Sequence, residues 1–320
     1  MLICDTHADT LWAMQDPSRD AALPFHITRE RLLGTDDVRV QALALFTGNS
    51  GLADEPDLIF RELQMLEVLK GEGFRQIARL EDALPGEANI LLTVEGGEVF
   101  HGGIHTVEHY ASLGVRAAAL VWNNVNELAY PAVKGSSPGL TPQGKKVAGR
   151  MHALGMAVDV SHMSAQGVED VLSLGGPPPM ASHSCAHALC PHPRNLTDEQ
   201  LRAVFSAGGY VGIAFYPPFL DPSGKATLDT VVDHMVHLCE LGGQGHVGLG
   251  SDFDGIEIWP EGLAHAGELP NLFAQMRKRG FDEPLVRAIA GENFAAYLTR
   301  ITAAATQGPF CQACSFPVSC

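Results

Sequence analysis

The sequence predicts an α/β protein, a single-domain (β/α)8 TIM barrel with extra C-terminal helices, and three observations predict it. Apolar strand-like runs alternate with helical patterns along most of the chain. Many of these runs are continuously apolar rather than alternating, as parallel strands covered on both faces require. Residues suited to metal or proton chemistry stand where several of the runs end. A barrel delivers every strand's C-terminal end to one rim, whereas an open doubly wound sheet normally offers one crevice at its switch point. A length of 320 residues suits one such barrel.

In chain order, strands are expected over Leu2–Cys4, Val38–Phe46, Asn89–Val94, Val115–Val121, Ala157–Val160, Pro179–Ser182, Tyr210–Phe215 and His246–Gly250. Helical spacing is expected between them over Asp57–Glu72, Thr106–Leu113, Pro142–Leu154, Ser164–Leu174, Thr197–Ala207 and Thr227–Leu241. Thr197-Asp-Glu-Gln200 is a capping box, and Pro142 after Thr141 occupies a first helical position. Leu269–Arg279, Glu283–Ala290 and Glu292–Ala305 follow as terminal helices. Gly175-Gly-Pro-Pro-Pro179 is a turn into a strand and not a hinge, so residues 1–305 form the barrel and 306–320 a tail.

Composition narrows the function. A formal charge of −16 argues against a nucleic-acid or anionic-membrane partner, both of which need a basic footprint. No signal peptide is visible, and no apolar run approaches the roughly 18 residues of a spanning helix, so a cytoplasmic protein is expected. Seven cysteines is an odd number in a chain of ordinary size, which speaks against a disulfide scaffold. Cys311-Gln-Ala-Cys314 and Cys320 have no second pair to complete a tetrahedral site and read as thiols on a frayed tail.

The chemistry sits in five short stretches. In extended backbone, positions i and i+2 share a face, so His7-Ala-Asp9 can present an imidazole and a carboxylate to one ion. Glu95 follows Leu91-Leu-Thr-Val94 directly, where a carboxylate needs a cation to offset its desolvation. Its two oxygens suit ions about 3.5–4 Å apart. His162 in Asp159-Val-Ser-His162 and His183 in Ala181-Ser-His183-Ser each follow a strand, with Ser161 and Ser182 beside them as hydrogen-bond partners. Two such histidines together point to a borderline-soft ion such as zinc. Asp252, at the end of Val247-Gly-Leu-Gly-Ser251, is placed to exchange a proton with water, while Asp254 reads as a turn former. Taken singly, each has an ordinary alternative: a capping Asp beside a surface His, a buried Glu paired with Arg, a hydrogen-bonded core His.

Together, His7-Ala-Asp9, Val94-Glu95-Gly96, Asp159-Val-Ser-His162, Ala181-Ser-His183-Ser and Gly248-Leu-Gly-Ser-Asp252-Phe-Asp-Gly255 resemble the membrane (renal) dipeptidase family of dizinc peptidases in the amidohydrolase superfamily. The likeness runs from residue 2 to about residue 300 and takes in Gly139-Leu-Thr-Pro-Gln-Gly144 and Gly291-Glu-Asn-Phe294. The resemblance implies two Zn²⁺ per subunit, replaceable by Co²⁺ or Mn²⁺. His7 and Asp9 would hold one ion, His162 and His183 the other, and Glu95 would bridge them. Asp252 would be the acid/base for a hydroxide shared between the ions. It also implies a homodimer and cleavage of dipeptides, L-L and also L-D, into two amino acids. Arg194, in His192-Pro-Arg-Asn-Leu196, matches the arginine that holds the substrate carboxylate, and a guanidinium suits that task. Tyr216, in Ala214-Phe-Tyr-Pro217, matches a pocket-lining tyrosine.

One departure stands out. Mammalian members carry a histidine after the fourth strand that touches the scissile carbonyl. Here Leu120-Val-Trp-Asn-Asn-Val-Asn126 places Trp122 or Asn123 there, as in the bacterial branch, which leaves the oxyanion donor and β-lactam hydrolysis open. Two alternatives stand beside the dipeptidase: another dizinc amidohydrolase reaction, such as deacylation of N-acyl amino acids or lactone opening, and a non-catalytic metal-binding barrel.

Overall fold

The computed structural model describes residues 1–20, 22–33, 37–48 and 55–307. The expected tail with Cys311, Cys314 and Cys320 lies outside the described residues. Nine strands are present among the described residues: β1 Leu2–Asp5, β2 Val38–Phe46, β3 Phe74–Ile77, β4 Ala88–Glu95, β5 Val115–Ala119, β6 Ala157–Asp159, β7 Met180–Ser184, β8 Tyr210–Ile213 and β9 Val247–Leu249. Every strand pairing is parallel, and the order β2-β1-β9-β8-β7-β6-β5-β4 closes through a β2–β4 ladder. Eight strands therefore make the barrel, as expected.

The ninth strand, β3, was not expected. It pairs with the first half of β4, from Ala88 to Leu91, while β5 takes over the same edge from Leu92 to Val94 across a register shift. Only Phe74 and Ile77 of Phe74-Arg-Gln-Ile77 are buried, so the segment shows neither a continuous nor a convincing alternating pattern. In contrast, β4 is buried along its whole length, because it lies under strands on both edges and helices outside.

The longer helices form where their local signals place them, while the short helices Thr10–Gln15, Arg29–Leu32 and Pro217–Leu220 were not expected. The Thr197 hydroxyl accepts from Gln200 N–H at 3.3 Å, and Gln200 Oε1 accepts from Thr197 N–H at 2.9 Å, which is the reciprocal capping box. The Thr141 hydroxyl accepts from Gly144 N–H at 3.0 Å with Pro142 at the first position of helix Pro142–Ala153. At the C-terminal end, helix Glu283–Arg287 runs through a π turn, Ala288–Glu292, directly into helix Asn293–Gln307. The two helices expected there are thus one continuous path. No helix among the described residues is long and apolar enough to cross a membrane.

The core has two parts. A large cluster fills the layer between strands and outer helices. A smaller one occupies the barrel interior, where Cys4, Val40, Leu91, Ala117, Ala157, Met180 and Tyr210 meet Phe294, Tyr297, Leu298 and Ile301 of the last helix. Tyr297 OH donates to Pro178 O at 2.8 Å and Asn293 Nδ2 to Val247 O at 2.8 Å, both at the start of strands. The terminal helix therefore closes the N-terminal end of the barrel. The C-terminal ends remain for function.

The barrel interior tolerates no added volume at Gly212 of β8. A Cβ there would lie 2.2 Å from Ser182 O and 2.6 Å from Thr6 Oγ1, whose hydroxyl sits 2.7 Å from both Ser182 O and Leu249 O. Gly212→Ala should lose about 1–3 kcal/mol in urea unfolding. Gly149→Ala in helix Pro142–Ala153, where a Cβ meets nothing within 4 Å, should gain about 0.5–1 kcal/mol. Equal midpoints for the two variants would contradict the packing described here.

Candidate active site

The rim is built by strand ends whose backbones are held by buried carboxylates. Asp5, the last residue of β1, accepts from Ser251 N–H at 2.8 Å and from the Ser251 hydroxyl, joining the ends of β1 and β9. Asp159, the last residue of β6, accepts from Ser161 N–H at 2.9 Å and Ser182 N–H at 3.0 Å, joining β6 to β7. These two pairs aim the segments that carry His7, Asp252, His162 and His183. The sequence places Asp159 in a motif but gives no direct sign of this role, nor of that of Asp5. The available signal was an acid closing an apolar run, which is costly unless something bonds it.

Backbone strain is concentrated in the same place. Among the described residues, the only non-glycine positions with positive φ are His162 (67°), Asp252 (66°) and Asp254 (65°). Each is in the left-handed region that L-residues adopt at a cost and that tends to persist where surrounding structure enforces it. Gly96, at φ 102°, and Gly97 follow Glu95 where no side chain fits: a Cβ on Gly97 would stand 2.1 Å from Leu120 O.

The expected residues converge. His7 Nε2 lies 3.4 Å from Asp9 Oδ2, 3.7 Å from Glu95 Oε2 and 3.8 Å from Asp252 Oδ1. Glu95 Oε1 lies 2.8 Å from His162 Nε2 and 3.4 Å from His183 Nε2, and those two nitrogens are 3.1 Å apart. Two donor triads result, His7–Glu95–His183 and His7–Asp9–Asp252, each with ligand atoms within 4.8 Å of one another. Asp252 therefore sits inside a donor set as well as at the mouth. The far nitrogens of the histidines are engaged: His162 Nδ1 is 2.9 Å from Asn123 Oδ1, and His183 Nδ1 is 2.8 Å from Ser182 Oγ. With Nδ1–H donating to the Asn123 oxygen, the His162 Nε2 lone pair faces inward.

A cavity of about 340 Å³ opens above this floor, and Asp9, Glu95, Trp122, Asn123, His162, Arg194, Tyr216 and Asp252 reach it, while His7 and His183 lie buried beneath. Trp122 is wedged edge-on against Phe46 at 5.0 Å and walls the cavity. Arg194 is buried, donates weakly to His183 O at 3.4 Å, lies 5.4 Å from the Phe219 ring, and leaves Nε without a partner among the described residues. Tyr216 packs edge-on against the same Phe219 at 5.0 Å.

The electrostatics are those of a site short of positive charge. Burial alone would lower His7, but Asp9, Glu95 and Asp252 outweigh it and raise its imidazole to about 10. Burial, with Asp9 next, pushes Glu95 well above the carboxylate range. Burial raises Asp252 to about 6, with Asp9 adding and His7 and Arg194 opposing. Burial holds His162 and His183 well below the usual histidine range. His7 Nε2 and Asp9 Oδ1 are buried with no hydrogen-bond partner among the described residues. Ligand atoms gathered this closely in a buried site fit divalent cations, and the donor set of imidazole and carboxylate suits zinc.

Two residues have larger parts than the sequence suggested. Asp254 is more than a turn former: it is buried, accepts from Thr10 Oγ1 at 2.7 Å and His26 N–H at 2.6 Å, and ties the segment after β1 to the turn after β9. Glu62, fully buried on helix Glu55–Gly71, accepts from Phe46 N–H at 2.9 Å and fixes the end of β2. Its helical position gave no sign of this, because a lone Glu on a helix normally faces water.

Compared with known proteins, residues 1–309 match the family membrane dipeptidase (peptidase family M19). An uncharacterised dipeptidase of Schizosaccharomyces pombe is 37% identical over 216 residues, covering 66% of this chain and 53% of the relative. A dipeptidase of Claviceps purpurea is 33% identical over 254 residues, covering 78% and 54%. The chain spans about half the length of these curated relatives. Among solved structures, a metallopeptidase from Rhodobacter sphaeroides liganded with a phosphinate mimic of the dipeptide L-Ala-D-Ala superposes with a TM-score of 0.83 at 26% identity, covering 94% of this chain and 99% of that one. A dipeptidase of the same peptidase family gives 0.84 at 26% identity, covering 95% and 99%.

The role of Asp159 is open to direct measurement. Asp159→Ala strips two buried N–H groups of their acceptor and should cost about 1–3 kcal/mol for each left unpaired. Urea unfolding of metal-free protein reads this directly. A midpoint equal to the parent's would mean that the β6–β7 junction holds without the carboxylate.

Proposed function

The chain belongs to the membrane dipeptidase family, peptidase family M19, and on that premise we propose that it is a zinc-dependent dipeptidase. The observation that carries the reading is the convergence of five donor side chains with an acid above them and a half-free buried arginine beside them. His7 and Asp9 would hold one ion, His162 and His183 the other, with Glu95 reaching both. When bound, such ions supply Lewis-acid polarisation of a carbonyl and acidification of water.

The chain's own residues do the rest. Arg194 receives the C-terminal carboxylate of the substrate through its guanidinium fork, which sets the distance from that end to the scissile bond. Water adds to the carbonyl carbon as Asp252 takes its proton; the C–N bond then breaks as Asp252 returns that proton to the departing amine. Asn123 fixes the ring of His162, and Ser182 that of His183, so the inward nitrogens do not turn away. Trp122 and Phe46 wall the cavity and limit water around the reacting bond. The presence of Arg194, which reads a terminal carboxylate, favours dipeptides over substrates blocked at that end.

Three outcomes are expected. Chelated protein should lose activity and regain it with about two equivalents of Zn²⁺, Co²⁺ or Mn²⁺, read by metal analysis alongside turnover; full activity with only trace divalent ion would end the metallopeptidase reading. Asp252→Asn should still bind metal while kcat falls about 10²–10⁴-fold, and normal turnover in that variant would take Asp252 out of the mechanism. Amidating the C-terminus of a good dipeptide should lower kcat/KM about 10–150-fold in the parent and hardly at all in Arg194→Met. Equal losses in both would mean that another group binds the carboxylate.

A further inference from the structure

A second cavity, of about 570 Å³, lies beside the first on the β9–β1 side of the rim. It is enclosed by the segment after β1 and by residues 254–265 after β9. Trp12, Gly255, Ile256 and Glu257 line both cavities and so form the neck between them. Gly255 is obligatory there, since a Cβ would stand 2.1 Å from Asp9 Oδ2. The chamber thus adjoins the first cavity beside Asp9 of the donor set, and Arg194 lines only the first.

Its lining is charged and aromatic, with the four carboxylates of Asp16, Asp20, Asp254 and Glu257 against the two guanidiniums of Arg19 and Arg31. Arg19 donates to Leu23 O at 2.7 Å and Pro24 O at 3.0 Å, and Arg31 donates to Phe25 O. Asp16 accepts from Ser18 N–H at 2.9 Å, Asp20 accepts from Ala22 N–H at 2.9 Å, and Asp254 is bonded as described above. Glu257 differs: it is exposed at the neck and makes no hydrogen bond or ion pair among the described residues. The indole of Trp12 lines the neck, and that of Trp259 lines the chamber, edge-on to His26 at 5.0 Å. An unpaired carboxylate at the neck, in a lining that has more acids than bases and carries two indoles, favours a cation over an anion or an aliphatic chain.

Resting on the dipeptidase reading, we propose that this chamber receives the side chain of the substrate's N-terminal residue, and that Glu257, Trp12 and Trp259 select lysine or arginine there. With the carboxylate held by Arg194 and the scissile bond over Glu95 and Asp252, the N-terminal side chain is the part of a dipeptide that reaches the neck. A lysine or arginine stem lies along Trp12 at the neck while its cationic head meets Glu257.

The test is a panel of Xaa-Ala dipeptides with Xaa as Ala, Leu, Lys, Arg and Glu, assayed on metal-replete protein. Lys-Ala and Arg-Ala should exceed Glu-Ala in kcat/KM by at least about tenfold, a difference of about 1.4 kcal/mol. Glu257→Gln should remove most of that ratio, and Trp259→Ala should lower Lys-Ala and Arg-Ala more than Ala-Ala. Hydrolysis of Ala-Ala with no preference by charge would overturn this inference alone. A uniform fall across the panel in Glu257→Gln would also overturn it, because Glu257 would then be reading the α-ammonium that every dipeptide carries. Failure to cleave any dipeptide would remove the dipeptidase reading and this inference with it.

Discussion

The arrangement around Glu95 is the constraint from which the rest of the site follows. One carboxylate, buried at the end of β4, faces His162 and His183 through one oxygen and His7 through the other. Burial holds His162 and His183 well below the usual histidine range, so neither imidazole readily brings a positive charge to this cluster. Positive charge at the centre of such a buried cluster relieves the crowding of its acceptors, and cations are what the proposed reading places there. His7, raised by its three acidic neighbours, is the group that answers this demand from within the chain.

Holding such a cluster together requires a stiff frame, and the barrel supplies it in two ways. The last helix fills the N-terminal end with Phe294, Tyr297, Leu298 and Ile301, which fixes the strands from below. Asp5 and Asp159 then stitch neighbouring strand ends through backbone N–H groups at the opposite rim. Left-handed backbone at His162, Asp252 and Asp254 is maintained by this frame. Strain and function coincide because only an over-determined rim can keep these side chains aimed inward.

The same rim divides the site into regions with different tasks. Loops over β7 and β8 present Arg194, Tyr216 and Phe219. The turn after β9 presents Asp252 and continues through Gly255 to the neck of the side chamber. Each region hangs from a different strand, so chemistry at the centre is common ground while the surroundings can differ.

The sequence by itself determined the barrel, most strand and helix positions, and the identity of the converging residues. Continuous apolar runs ending in acids and histidines are a local signal, since burial on both faces and a polar C-terminal end are written in consecutive residues. It missed β3, whose two polar residues hide a strand supported only by its pairing with β4. It missed the roles of Asp5, Glu62 and Asp159, and it undervalued Asp254, because each acts on backbone N–H groups distant in sequence or newly exposed by a bend. Only the tertiary structure decided that Asp252 shares a donor set with His7 and Asp9, that Asn123 orients His162, and that a second chamber joins the first. The reason is physical: composition and spacing fix what a segment buries, but distances between atoms hundreds of residues apart exist only once the ring of strands has closed.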